Sequence, residues 1–119
     1  MSFYECVFIT RQEISPAELE KITDKYIKLI ESNKGKYKSK EDWGLRNLAY
    51  KIKNNRKGNY TLLNFEAEPE TILELERVFR IDDDIIRYLT TKIKVIPKDP
   101  SIIMKQRIEK ENYKTESTE

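Results

Sequence analysis

The sequence predicts an α+β fold in which one four-stranded antiparallel sheet is covered on a single face by two helices. Stretches that alternate at the two-residue period of a strand, and stretches with apolar residues at helical spacing, follow one another in the order βαββαβ. This order consists of two βαβ halves, which form a ferredoxin-like sandwich with strands one and three in the centre and strands two and four at the edges. The length of 119 residues suits one domain with a single main core.

The first strand and the first helix have the clearest local signals. Residues 4–10 are rich in aromatic and β-branched side chains and predict a central strand. Ser15, Pro16 and Glu18 predict a helix start, because a serine cap, a proline at the first position and a glutamate three residues after the cap suit the unpaired backbone amides. Gly35 is predicted to end this helix in a left-handed conformation.

A long second strand follows, and it is predicted to be interrupted near Trp43 and Gly44, because a glycine inside a strand pattern often marks a bulge or a close backbone approach. After Arg46 the chain alternates in the strand period, which places Leu48, Tyr50 and Ile52 on one side. This stretch is therefore expected to expose functional side chains as well as to pack.

The second half repeats the pattern. Residues 54–58 predict a polar turn that ends in glycine, and residues 60–66 predict a third strand that is apolar on both faces. Pro69 opens the second helix, which the acidic run 82–84 ends. That run lacks the spacing of a calcium loop, so a capping and turn role is favoured over a metal site. The last strand is predicted over residues 85–95.

The predicted domain covers residues 1–96, and residues 97–119 are predicted to be a polar, disordered tail, since prolines mark the exit and mixed charge follows. No apolar run is long enough to span a membrane and the N-terminus lacks the layout of a signal peptide, so a soluble, cytosolic protein is expected.

The single cysteine, Cys6, is expected to be a small core residue, because the chain contains no histidine to activate it.

Charge is concentrated in one block of the chain. Residues 34–57 contain nine basic and two acidic side chains, a net of +7, whereas the whole chain has a net charge of only +2. Such a block attracts phosphate backbones. The alternative reading is a solvated strand edge whose lysines prevent edge-to-edge aggregation. The residues alone leave both readings open.

Several phrases of the sequence, in this order and spacing, resemble the bacterial small-subunit ribosomal protein S6 family over residues 3–95. They are Tyr4-Glu5, Glu41-Asp42-Trp43-Gly44 with Arg46 and Leu48-Ala49-Tyr50, Glu66-Ala67, Phe79-Arg80-Ile81 and Ile86-Arg87. One departure is Lys51, where a proline often follows the tyrosine.

The resemblance implies a structural constituent of the small ribosomal subunit that binds the central domain of 16S ribosomal RNA as a heterodimer with ribosomal protein S18. It implies neither catalysis nor a cofactor, metal, small-molecule substrate or membrane. The residues expected to contact RNA are Arg46, Lys51, Lys53, Arg56, Lys57 and Arg87. The residues expected to contact the partner, on the sheet face left open by the helices, are Trp43, Tyr60 and Leu62.

Other interpretations apply to these residues and to the chain. Strand arginines and lysines are often merely solvated, and Trp43 could be a core residue. A ferredoxin-like small-molecule regulatory domain would need a ligand cleft, and the sequence lacks a glycine-rich phosphate loop. A protein-interaction module would bind through the Tyr60 and Leu62 face without dependence on salt.

Overall fold

The computed structural model describes residues 1–94 and confirms the βαββαβ order. The elements are β1 (Ser2–Arg11), α1 (Pro16–Ser32), β2 (Lys36–Ile52), β3 (Asn55–Ala67), α2 (Pro69–Ile81) and β4 (Ile85–Ile93). The strands form one antiparallel sheet in the order β2-β3-β1-β4, with β1 and β3 in the centre as predicted. The prediction of a disordered tail over residues 97–119 lies outside the described residues.

The main core lies between the sheet and the two helices. Four aromatic rings form its centre, since Phe79 of α2 lies 4.5 Å from Tyr26, 5.6 Å from Phe8 and 5.1 Å from Tyr88 between ring centroids. Tyr26 and Phe8 are fully buried. Cys6 is also buried in this core, and burial raises the pKa of its thiol to about 12, as expected for a small structural residue.

A second apolar cluster covers much of the other sheet face, which the sequence predicted to be open. Its buried members are Val7, Ile9, Leu48, Tyr60, Leu62 and Ile86, with Trp43 and Ile52 packed against them. The cluster joins residues of β2 and β4, the two edge strands, even though two strands separate them. The end of the β2–β3 hairpin therefore curls across this face, and the prediction of an open sheet is wrong at this end.

The β2–β3 turn lies earlier than predicted. Lys53 and Asn54 are its two central residues, with φ of 47° and 67°, and β3 begins at Asn55. Two consecutive positive φ values are typical of the tight turn whose twist matches that of the flanking strands. Gly58 lies inside β3 and pairs with Arg11 and Arg46, so residues 55–58, which were predicted to form the turn, belong to the strand.

The interruptions of β2 shape the hairpin. Gly44 has a φ of 77° and marks a register shift against β3, which confirms the predicted bulge. Further irregularities of β2 lie between Tyr37 and Ser39 and between Asn47 and Ile52. Leu48 is buried and Tyr50 is 57% exposed, so these two residues of the predicted common side differ in burial.

Helix α1 begins as predicted and ends differently. The Glu18 N–H donates to the Ser15 hydroxyl oxygen at 3.2 Å, which confirms the serine cap. The left-handed residue after the helix is Lys34, with a φ of 67°, rather than Gly35. Gly35 instead permits close approach, because a Cβ there would lie 2.5 Å from Ile30 Cγ2 and 2.8 Å from the Ile30 carbonyl oxygen.

The acidic run after α2 forms the predicted turn. The Asp82 carboxylate accepts hydrogen bonds from the Tyr26 hydroxyl, from the Asp84 N–H at 3.0 Å and from Lys25 Nζ at 3.1 Å. Asp84 in turn binds Arg11 Nε at 2.8 Å. Partial burial alone would raise the pKa of Asp82, but its three donors outweigh burial and hold that pKa below its ordinary value.

Replacing Asp82 with asparagine is expected to destabilise the protein at neutral pH and to have less effect in acid. Because folding lowers the pKa of Asp82, its ionised form contributes stability that is complete above the ordinary value near about 4 and is lost as the pH falls through the folded-state pKa. Urea unfolding of the wild type and Asp82→Asn between about pH 7 and about pH 2 measures this. Asp83→Asn, at an exposed neighbour, is the control. A difference that stays constant over this range would contradict the prediction.

Among residues 1–94, no helix combines the length and the apolar character that a membrane span requires.

Candidate nucleic-acid and partner interface

Most of the residues predicted to contact RNA lie on the β2–β3 hairpin, namely Arg46, Lys51, Lys53, Arg56 and Lys57. The sixth, Arg87, lies in β4 at the opposite edge of the sheet. The curl of the hairpin brings its end to β4, because Lys53 Nζ donates to the Ile85 carbonyl oxygen at 3.5 Å. The fold thus gathers cations from both edges at one end of the molecule.

Three of these cations, Lys51, Arg56 and Lys57, line one surface groove. All three side chains are exposed. The other residues of the lining are Gln12, Glu13, Leu45 and Asn54. Three positive charges against one carboxylate make this groove suited to an anion such as a phosphate group.

Polar side chains tie the hairpin to the loop between β1 and α1 and so fix the groove. The Gln12 N–H donates to Asn55 Oδ1 at 3.1 Å, and the Lys57 N–H donates to Gln12 Oε1 at 3.3 Å. Asn55 Nδ2 also donates to the carbonyl oxygens of Ile52 and Lys53, at 3.3 and 3.0 Å. Asn55 is buried, so these bonds form in a partly water-excluded setting where they hold the turn rigidly.

Arg87 contacts the end of the hairpin through Tyr50. Its Nη1 donates to the Tyr50 hydroxyl oxygen at 3.3 Å, and its guanidinium carbon lies 5.9 Å from the centroid of the ring. Both side chains are exposed. Arg87 and Lys53 thus both take part in contacts between the hairpin end and β4.

Arg46 lies nearer the base of the hairpin and is half-buried. Its Nε donates to the Trp43 carbonyl oxygen at 3.3 Å across the bulge at Gly44. This bond directs part of the guanidinium toward its own strand, so Arg46 is held by a contact within the hairpin.

The three residues predicted to contact a partner occupy the second apolar cluster. Tyr60 is 4% exposed and Leu62 is fully buried, so neither offers surface in the isolated chain. Trp43 is half-buried, and its ring stacks on Tyr60 with centroids 6.3 Å apart and planes 16° apart. Trp43 Nε1 donates to Glu41 Oε1 at 3.3 Å. Tyr60 thus supports the Trp43 ring, and the expectation that Tyr60 and Leu62 form an open apolar surface is wrong.

Sequence reasoning missed two parts of this region. Tyr50 was not among the predicted contact residues, but it is exposed and contacts Arg87. Gln12 and Asn55 were not singled out, although they hold the hairpin in place. A tyrosine within a basic block could have been singled out from the sequence. The hydrogen bonds of Gln12 and Asn55 could not, because they depend on distances that exist only in the folded chain.

Comparison with known proteins agrees with this architecture. The family model for ribosomal protein S6 matches residues 3–92. A small ribosomal subunit protein bS6 from Rickettsia bellii is 47% identical over 118 residues, which cover 99% of this chain and 93% of that protein. The bS6 protein of Methylobacterium nodulans is 43% identical over 107 residues, covering 90% of this chain and 80% of that protein.

A solved structure shares the fold. The crystal structure of 30S ribosomal protein S6 from Thermotoga maritima matches with a TM-score of 0.73 at 29% identity, over 92% of this chain and 95% of that chain. The family match covers both βαβ halves and the basic hairpin between them. The chain therefore belongs to the ribosomal protein S6 family of the small ribosomal subunit.

Proposed function

We propose that this protein is a structural, non-catalytic component of the small ribosomal subunit that binds the central domain of 16S ribosomal RNA together with ribosomal protein S18. It would act in the cytoplasm as part of the ribosome. The observation that supports RNA binding most directly is the end of the sheet where Lys51, Lys53, Arg56, Lys57 and Arg87 are all exposed. Lysine and arginine side chains of this kind neutralise phosphates and displace condensed counterions.

The hairpin end is better suited to a fixed RNA shape than a set of mobile lysines would be. Asn55 and Gln12 hold the turn, and the Arg87–Tyr50 contact fixes its distance from β4. A rigid array of cations positions a folded RNA, because the entropy of ordering the protein has already been lost on folding.

The proposed contact with S18 centres on Trp43. Its ring is half-buried and rests on Tyr60, so it could anchor a partner with little loss of side-chain freedom. Tyr60 would contribute by stacking on the ring, and Leu62 by forming part of the buried cluster against which Trp43 packs. Leu45, which is 52% exposed two residues along β2, offers further apolar area nearby.

Binding to a central-domain 16S ribosomal RNA fragment, measured across roughly 50 to 200 mM salt with and without S18, tests the proposal. We expect partner-dependent binding whose logarithm falls linearly with the logarithm of salt concentration. Arg46→Ala and Arg87→Ala should each weaken binding, and each lost phosphate contact should make the slope shallower by about 0.9. Because Arg46 is half-buried and bonded to its own strand, its variant should show the smaller change of the two.

Arg77→Ala is the matched control. Arg77 lies on the helix side of the molecule and pairs with Glu74 at 2.7 Å, so its loss should leave both affinity and slope unchanged. The absence of binding at every salt concentration, with and without S18, would overturn the proposed function. A slope equally altered by Arg77→Ala would mean that net charge, rather than this surface, determines binding.

A further inference from the structure

Tyr50 is a large aromatic side chain that the fold leaves in water. It is 57% exposed at the end of β2, although the apolar cluster that contains Leu48 and Ile52 lies within the same short stretch of chain. Burying a tyrosine ring there would be favourable, because aromatic burial is among the larger contributions to stability. Single exposed apolar residues are common, so exposure alone is not evidence of a site.

The contacts of Tyr50 set it apart from a stray exposed residue. Arg87 Nη1 donates to its hydroxyl oxygen at 3.3 Å, and the Arg87 guanidinium carbon lies 5.9 Å from the ring centroid. Arg87 thus fixes the ring from one side. The Lys53 ammonium, held at 3.5 Å from the Ile85 carbonyl oxygen, lies on the turn that follows Tyr50 by three residues. The ring is oriented by Arg87, is followed three residues later by a lysine and is largely open to solvent.

We infer that Tyr50 is a stacking platform for an unpaired base of the bound RNA, with Arg87 and Lys53 contacting the phosphates on either side of that base. This inference rests on the proposed function. Proteins contact unpaired nucleotides by combining an exposed aromatic face with neighbouring cations, since every base presents a flat surface and every nucleotide has one charge. A paired base inside a helix cannot use such a platform, because its faces are covered by its neighbours in the stack.

Three variants at this position separate stacking from the bond to Arg87. Tyr50→Leu removes the aromatic face, whereas Tyr50→Phe keeps it and removes the hydroxyl that accepts from Arg87. Tyr50→Trp enlarges the face. With the full-length protein and S18 present, we expect Tyr50→Leu to weaken binding to the central-domain fragment at least about fivefold. Tyr50→Phe and Tyr50→Trp should stay within about twofold of the wild type, a smaller change than the loss of one stacked base.

A second readout excludes a merely structural role. A fully paired RNA duplex of the same length offers phosphates but no unpaired base, so Tyr50→Leu should bind it as the wild type does. The salt slope should also be unchanged in Tyr50→Leu, because no charge is lost, whereas Arg87→Ala should lower it. Leu73→Ser, at a side chain of α2 that is 68% exposed, is the control for altering an exposed apolar residue.

The outcomes distinguish this inference from the proposed function. If the wild type binds the fragment and Tyr50→Leu binds equally well, the stacking platform is wrong and the proposed function stands. Equal losses on the fragment and on the duplex would also overturn it, because they would indicate a phosphate contact or a displaced Arg87. Loss of S18 binding by Tyr50→Leu, with RNA binding intact, would assign the ring to the partner instead. If the wild type does not bind the fragment, both proposals fail.

Discussion

Replacing Phe79 with alanine is expected to lower the free energy of unfolding by about 3–5 kcal/mol, a large part of the stability of a domain of this size. Phe79 is 1% exposed and contacts three other rings, those of Phe8, Tyr26 and Tyr88. The cavity would lie where α1, α2 and the sheet meet, so neighbouring rings on three separate elements would have to move together to fill it. Such collapse is costly in a close-packed interior.

Urea unfolding followed by circular dichroism measures the loss, and Leu73→Ala on the same helix is the matched control. Leu73 is 68% exposed, so its truncation should change the free energy of unfolding by less than about 0.5 kcal/mol. A Phe79→Ala variant as stable as Leu73→Ala would contradict the position of Phe79 at the centre of the main core. The milder Phe79→Leu should lie between the two, which provides a folded variant if the alanine variant does not fold.

The largest expected functional effect comes from replacing Lys51, Arg56 and Lys57 together with glutamine. These three cations line one groove, so a phosphate chain that enters the groove would contact all of them. The loss of three phosphate contacts should lower the salt slope by about 2.7 and weaken RNA binding by roughly two to three orders of magnitude at about 0.1 M salt. Affinity for the central-domain fragment, measured over a salt series with S18 present, checks both values.

The matched control changes net charge equally at residues that do not line the groove. Lys21, Lys28 and Arg80 are exposed residues of the two helices, and their replacement by glutamine removes the same three charges. This control should leave the slope nearly unchanged, because the Debye length at 0.1 M salt is only about 10 Å. If both triple variants lose affinity equally, the groove is not the RNA contact. Glu13→Gln, which removes the carboxylate of the groove, should strengthen binding slightly.

The elements of the fold could be predicted from local sequence. Ser15 and Pro16 mark the start of α1 and Pro69 marks the start of α2, because caps and first-turn prolines act within a few residues of chain. Gly44 marked its bulge for the same reason. The central position of β1 and β3 followed from the handedness of the crossovers, which depends on chain chirality rather than on particular side chains.

Prediction failed where the position of a turn or of a left-handed residue depends on more than a few neighbouring residues of the sequence. The sequence placed the hairpin turn in residues 54–58, but the turn is formed by Lys53 and Asn54. Several polar residues in a row suit either a turn or an exposed strand end, and the choice depends on pairing with β1. Similarly, Gly35 was predicted to adopt the left-handed conformation, but Lys34 adopts it. The glycine is needed at position 35 because a side chain there would collide with Ile30, a contact that arises only in the folded chain.

The sequence by itself therefore determined the order of the elements, the strand order, the family and the concentration of positive charge between residues 34 and 57. Only the tertiary structure decided that the hairpin curls over the sheet, that Tyr60 and Leu62 are buried beneath it and that Tyr50 meets Arg87. The physical reason is the distance along the chain over which each kind of interaction acts. Caps, bulges and charge act between near neighbours, whereas Tyr50 and Arg87 are 37 residues apart and meet only when the chain is folded.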